Sequence, residues 1–186
     1  LERFARNVPI VLDPVMVAKG GAPLLEPEAV RALIRRLLSM ASVVTPNGPE
    51  AAVLTGLEVR TEADLPRAAE RLLALGPGAV LVKGGHLESE VVVDLLRTAD
   101  GDEHWFESPR QKTRSTHGTG CTLASAVAVG VAQGLTLRDS VARAREYVAE
   151  AIRTAPGFGR GHGPLNHAHP VTGARPGAAS GWRSEE

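Results

Sequence analysis

Residues 115–130, STHGTGCTLASAVAVG, place the only cysteine of the chain, Cys121, just after Gly118, Thr119 and Gly120 and ahead of a run of small apolar residues. The pattern after Gly120 is helical. The first amides of a helix have no partner inside it, and the helix dipole adds partial positive charge at that end. A glycine turn there makes an anion site, able to hold a phosphate or the charge that develops on one during transfer. It is not a Walker loop, which needs Gly-Lys followed by Ser or Thr. A thiol at a helix start is expected to have a lowered pKa, since the dipole favours thiolate. That suits a nucleophile or a proton acceptor. The same residues also fit a plain glycine turn before a buried helix, with Cys121 as a small core side chain. A cysteine hydrolase would need an activating base, and spacing alone does not bring His117 to the thiol.

Three more clusters carry polar groups at suggestive places. In TPNGPEA (45–51), Asn47 and Glu50 lie across a helix start and could hold Mg²⁺ through water, with Glu supplying charge and Asn a neutral oxygen. They equally fit a turn followed by an acidic first helical turn. In DPVMVAKGG (13–21), Asp13 ends a strand and could orient metal-bound water or phosphate, or simply form an Asp-Pro turn. In VKGGH (82–86), Lys83 could neutralise a phosphate, or sit solvated on a loop. His162, His167 and His169 in GHGPLNHAH match no standard zinc spacing and come from one segment, so no metal site is expected there.

These groups need a scaffold. The chain has 186 residues, enough for one domain or a domain with a tail. Apolar residues make up 43% but aromatics only 3%, so Ala, Val and Leu must build the core. Lys plus Arg and Asp plus Glu both total 21, leaving no electrostatic reason to expect nucleic acid or an acidic membrane as partner. No apolar run approaches the ~20 residues of a membrane span, and no secretory signal is visible. A single cysteine suits a reducing cytoplasm.

Strands are predicted over 8–13, 42–47 and 79–86. VVVDLL (91–96) and HWFES (104–108) predict an antiparallel hairpin around a polar turn. Helices are predicted over 27–40, 49–56 closed by Gly56, and 61–76 opened by Thr61 and Asp64. Another runs from Gly120 to Gly134, and a last one is capped by Thr136 and Asp139. LERFARN (1–7) has the pattern of a helix end, and 169–186 lacks periodicity and is expected to be a disordered tail. Alternating strands and helices predict an α/β domain over 1–168 with a mostly parallel sheet. Ligands bind beyond the carboxyl ends of such strands, where Asp13, Thr45–Asn47 and Lys83–His86 fall.

Taken in order, VLDPVMVAKGG, VTPNGPEAAVLTG, VLVKGGH, THGTGCTLASAVA and GHGPLNH resemble the hydroxymethylpyrimidine and hydroxymethylpyrimidine-phosphate kinases of thiamin biosynthesis, in the ribokinase-like superfamily. The resemblance runs from about residue 8 to 167. The GTGC form is its most telling part, since most ribokinase-like enzymes carry Asp where Cys121 stands. It implies a ribokinase-like sheet flanked by helices and a transfer from ATP, with Mg²⁺, to the hydroxymethyl group of a pyrimidine, then to the monophosphate. It also implies roles. Gly118, Thr119 and Gly120 form the anion hole, and Cys121 is the general base beside the substrate. Asn47 and Glu50 organise Mg²⁺ and phosphates, Asp13 and Lys83 line the phosphate side, and the backbone at Val15 lies against the pyrimidine. A cytoplasmic homodimer acting on small molecules is the implied setting.

Two features depart from the family. Gly48 replaces a usually apolar residue. The family's glycine-rich AGSDPSGGAG-like strand–loop has no counterpart here, so the resemblance implies that the N-terminal strands are missing and that the chain is the C-terminal part of a kinase domain. Pyridoxal or pyridoxine kinase is the sister activity. A non-catalytic nucleotide-binding fragment is the alternative from another class.

Overall fold

The computed structural model describes residues 8–17, 22–87 and 89–172. The expected helix end at 1–7, the glycines of DPVMVAKGG and the tail beyond 172 lie outside the described residues.

Five strands form one sheet in the order β1 (Val11–Leu12), β2 (Val43–Val44), β3 (Ala79–Lys83), β4 (Val91–Thr98) and β5 (Glu103–Pro109). The first three are parallel, while β3–β4 and β4–β5 are antiparallel. The sheet is therefore mixed rather than mostly parallel. Connection length explains the difference. Parallel neighbours need a crossover, supplied by α1 (Pro27–Arg36) between β1 and β2 and by α2 (Gly48–Thr55) and α3 (Leu65–Leu73) between β2 and β3. The links from β3 to β4 and from β4 to β5 are short and contain no helix. They allow only reversal.

Successive strand residues point to opposite faces, and both faces are covered. Val44, Val80, Val82 and Leu95 pack against Leu54 of α2 and Leu65, Ala68 and Leu72 of α3. Val43, Leu81 and Leu96 pack against Leu123 and Val127 of α4 (Thr119–Ala132) and Val141, Ala144 and Val148 of α5 (Leu137–Arg153). The small residues of α4 let α5 approach closely. A Cβ built on Gly130 would lie only 2.6 Å from Ser140 Oγ.

The predicted elements are present, with boundaries moved by local chemistry. The helix expected over 27–40 ends at Arg36 and tightens into a 3₁₀ turn at Leu38–Met40 before entering β2. The strand expected to run to Asn47 stops at Val44, because Pro46 has no N–H and Asn47 begins α2. Thr61 and Asp64 form the expected capping box, but around a 3₁₀ turn, and α3 starts at Leu65. Thr136 caps α5 by accepting from the Asp139 N–H. The segment expected to be structureless from 169 begins with a short helix, α6 (His169–Thr172), whose His169 ring lies 4.6 Å from that of Tyr147. Among the described residues, no helix is long and apolar enough to cross a membrane.

Candidate active site

Because β1, β2 and β3 are adjacent and parallel, the residues that follow or end them lie side by side. Asp13 follows β1, Thr45 follows β2, and Lys83 ends β3. Lys83 Nζ donates to Asp13 Oδ1 at 3.0 Å, and the Thr45 hydroxyl donates to the same oxygen at 3.0 Å. The Lys83 and Asp13 side chains are 11% and 14% exposed, so the pair is mostly withdrawn from water. Thr45 is fully buried. Sequence reasoning placed it at a strand end but gave it no role. The signal was there: a hydroxyl directly after a buried Val-Val strand needs a polar partner.

The first turn of α4 closes onto this pair. Gly118 is its N-cap with φ +81°, a left-handed conformation that favours glycine, and no side chain caps the helix start. The Thr122 N–H already donates to Gly118 O at 2.9 Å, whereas the amides ahead of it have no partner within the helix. A Cβ on Gly120 would come 3.1 Å from Lys83 Nζ and 3.8 Å from Asp13 Oδ2. Glycine at 120 thus lets a helix N-terminus, an ammonium and a carboxylate share one spot. Cys121 stands beside them with an exposed side chain, which removes the reading of it as a core residue.

The expected lowering of the Cys121 pKa is not found. Partial burial of the sulfur pushes the thiol up first, followed by the charge of Asp13; Lys83 opposes them. The helix dipole is a local effect, and partial burial together with a carboxylate brought in by the fold outweighs it. The backbone of His117 pairs with Gly163, its N–H donating at 3.2 Å to that carbonyl.

Asn47 and Glu50 turn out to cap α2 reciprocally. Asn47 Oδ1 accepts from the Glu50 N–H at 2.9 Å, and Glu50 Oε2 accepts from the Asn47 N–H at 2.8 Å. Glu50 is 3% exposed. Burial raises its pKa, partly offset by the Asn47 N–H and Lys83, while Asp13 raises it further. Its carboxylate therefore feels both members of the Asp13–Lys83 pair. Among the described residues no three His, Cys, Asp or Glu gather into a metal site. The arrangement fits Mg²⁺, which usually takes one or two carboxylates and completes its shell with water and substrate phosphates. Glu50, with its second carboxylate oxygen outside the cap, suits that part. The side-chain oxygen of Asn47 is already engaged in the cap. Asn47 also pairs with Lys83 as a parallel bridge, so it shapes the backbone beneath the pair.

Val15 lies close by: its N–H donates to Asp13 O at 2.9 Å, and it is 40% exposed. The histidine segment runs along α4 and α5. His167 Nε2 lies 2.9 Å from Thr122 Oγ1, and Tyr147 donates to His167 O at 2.8 Å. Cys121, Thr122, Tyr147 and His167 line a cavity of about 560 Å³ between these helices.

Residues 2–166 match the phosphomethylpyrimidine kinase family. The chain is 53% identical over 168 residues to a bifunctional thiamine biosynthesis protein of Geobacter sulfurreducens, which covers 90% of this chain and 34% of that protein. It is 50% identical over 161 residues to the hydroxymethylpyrimidine/phosphomethylpyrimidine kinase of Streptomyces coelicolor, covering 87% of this chain and 59% of that enzyme. Among solved structures, the pyridoxal kinase of Staphylococcus aureus in complex with ADP superposes with a TM-score of 0.80 at 32% identity, over 88% of this chain and 60% of that one. The chain spans less than two thirds of the length of these three relatives.

Proposed function

This chain belongs to the phosphomethylpyrimidine kinase family, and from that premise we propose that the protein carrying it transfers phosphate from ATP to hydroxymethylpyrimidine and then to its monophosphate. One observation carries the reading: the uncapped start of α4 meets the Asp13–Lys83 pair at Gly120. Phosphoryl transfer asks little covalent chemistry of a protein and much positioning and charge stabilisation. The amides of Thr119, Gly120 and Cys121 and the Lys83 ammonium supply positive charge for the equatorial oxygens of the transferred group.

In the proposed step the substrate hydroxyl attacks the γ-phosphorus, and the bond from that phosphorus to the ADP oxygen breaks. The hydroxyl proton passes to Cys121 Sγ, while the thiol proton passes to Asp13. This coupling accommodates a thiol that is protonated at rest. The backbone at Val15 lies near enough to Asp13 to border the ring of the alcohol. Bound Mg²⁺ would add positive charge at the phosphates, with Glu50 to hold it, in part through water. A cytoplasmic homodimer is the setting we propose.

The likeness to a pyridoxal kinase keeps a second alcohol in view. The test is to incubate the protein with ATP, Mg²⁺ and each alcohol and to follow products by phosphorus NMR. We expect pyrimidine monophosphate followed by diphosphate, with kcat/KM higher than for pyridoxal. Faster phosphorylation of pyridoxal would overturn the substrate assignment, and ATP consumption without a phosphorylated alcohol would overturn the kinase reading.

A further inference from the structure

Lys83 stands directly opposite Asp94 in the β3–β4 ladder. Opposed residues in an antiparallel pair share a face, with Cβ atoms about 4.5–5.5 Å apart, well within reach of a lysine side chain. Yet the Lys83 ammonium is bonded to Asp13, at 3.0 Å. Asp94 has other partners. Its Oδ1 accepts from the Gly84 N–H at 2.9 Å, and its Oδ2 is paired with Arg145 of α5. The pair is buried, with the side chains of Arg145 and Asp94 12% and 5% exposed. Arg145 is itself fixed, donating to Ser108 Oγ at 2.9 Å and lying 5.8 Å above the Phe106 ring. The turn after Lys83 has no slack, since a Cβ on Gly84 would fall 2.0 Å from Val93 O.

Two carboxylates therefore flank one ammonium, and only one of them has a cation of its own. We propose that Arg145 is a positioning residue that neutralises Asp94 and so leaves Lys83 at Asp13 and the start of α4. A buried carboxylate stripped of its partner is strongly destabilising. Without Arg145, Lys83 is the cation that the ladder places directly opposite Asp94. Its move would take positive charge away from the anion site. The effect on turnover rests on the proposed phosphoryl transfer; the effect on geometry does not.

The test compares Arg145→Met with the double variant Arg145→Met/Asp94→Asn in the full protein. Asn keeps an acceptor for the Gly84 N–H but carries no charge. The single variant should lose ~10²-fold in kcat, the scale of losing one charge-stabilising donor, and its crystal structure should show Lys83 Nζ on Asp94. The double variant should return to within a few-fold of the native rate, with Lys83 back on Asp13. A double variant as slow as the single, or Lys83 still on Asp13 in the single, would overturn the proposal. If Arg145→Met does not fold, Arg145→Lys and the double variant decide. Both should be near normal in rate, since each leaves Asp94 neutralised or uncharged, and a ~10²-fold loss in either would count against it. A parent protein that phosphorylates no alcohol would sink the kinase reading alone, because the position of Lys83 in the crystals still decides this one.

Discussion

The first turn of α4, which carries Cys121, stands beside the Asp13 carboxylate at the end of β1, and that charge adds to burial in raising the pKa of the thiol. A helix start alone would favour thiolate there. Partial burial and, after it, the neighbouring carboxylate raise the thiol's pKa instead. The protonation of the chain's one cysteine is thus a tertiary property.

That relationship can be titrated. Alkylation of Cys121 by iodoacetamide should follow a thiolate fraction that rises only above the ordinary thiol range. Asp13→Asn removes the charge while keeping an amide oxygen as acceptor, so the profile should move to lower pH. An unchanged profile in that variant would break the link between the two residues.

Cys121→Ala separates chemistry from stability. The side chain is exposed, so stability should change by no more than about 0.5 kcal/mol. Turnover should fall ~10²- to 10⁴-fold, the usual worth of general-base help, while ATP binding by calorimetry survives. A normal rate per folded molecule would remove the thiol from the mechanism.

Glu50 gives a prediction with two opposite signs. Its pKa is raised in the fold, so between its unfolded and folded pKa the native state binds more protons than the unfolded state. Stability then falls as pH rises through that window, and the cost of the buried charge is fully present above it. Glu50→Gln keeps an acceptor for the Asn47 N–H and removes the charge. It should raise Tm at neutral pH, with the gain fading as the pH drops towards the unfolded value, and should weaken the Mg²⁺ dependence of turnover. A variant that melts lower at every pH would show the carboxylate to be chiefly a cap.

Gly130→Ala tests the α4–α5 contact apart from the site. The added Cβ would meet Ser140 Oγ at 2.6 Å and Ser140 Cα at 3.0 Å, and such overpacking costs about 1–3 kcal/mol. Urea unfolding should show that loss. An unaltered midpoint would mean that the helices separate easily.

Local features were readable from the chain alone, and convergent ones were not. Gly56 as a helix stop, Thr61 with Asp64, and Thr136 with Asp139 act within a few residues, so their spacing sufficed. Asn47 and Glu50 showed the limit of spacing: the same interval serves a metal pair and a reciprocal cap, and the structure contains the cap. Asp13 and Lys83 are 70 residues apart, and only parallel pairing of their strands could reveal the contact. Asp94 was overlooked inside VVVDLL. An acid in an otherwise apolar strand needs a buried partner, but nothing in the spacing points to Arg145.

The central claim is that the start of α4 and the Lys83 ammonium together hold the phosphate during transfer to a pyrimidine alcohol. The direct measurement is the initial rate of ATP-dependent hydroxymethylpyrimidine phosphorylation by Lys83→Met, with folding verified by circular dichroism. The account predicts a folded variant slowed ~10²- to 10³-fold, as when one stabilising donor is lost. A folded Lys83→Met enzyme working at the native rate would contradict it.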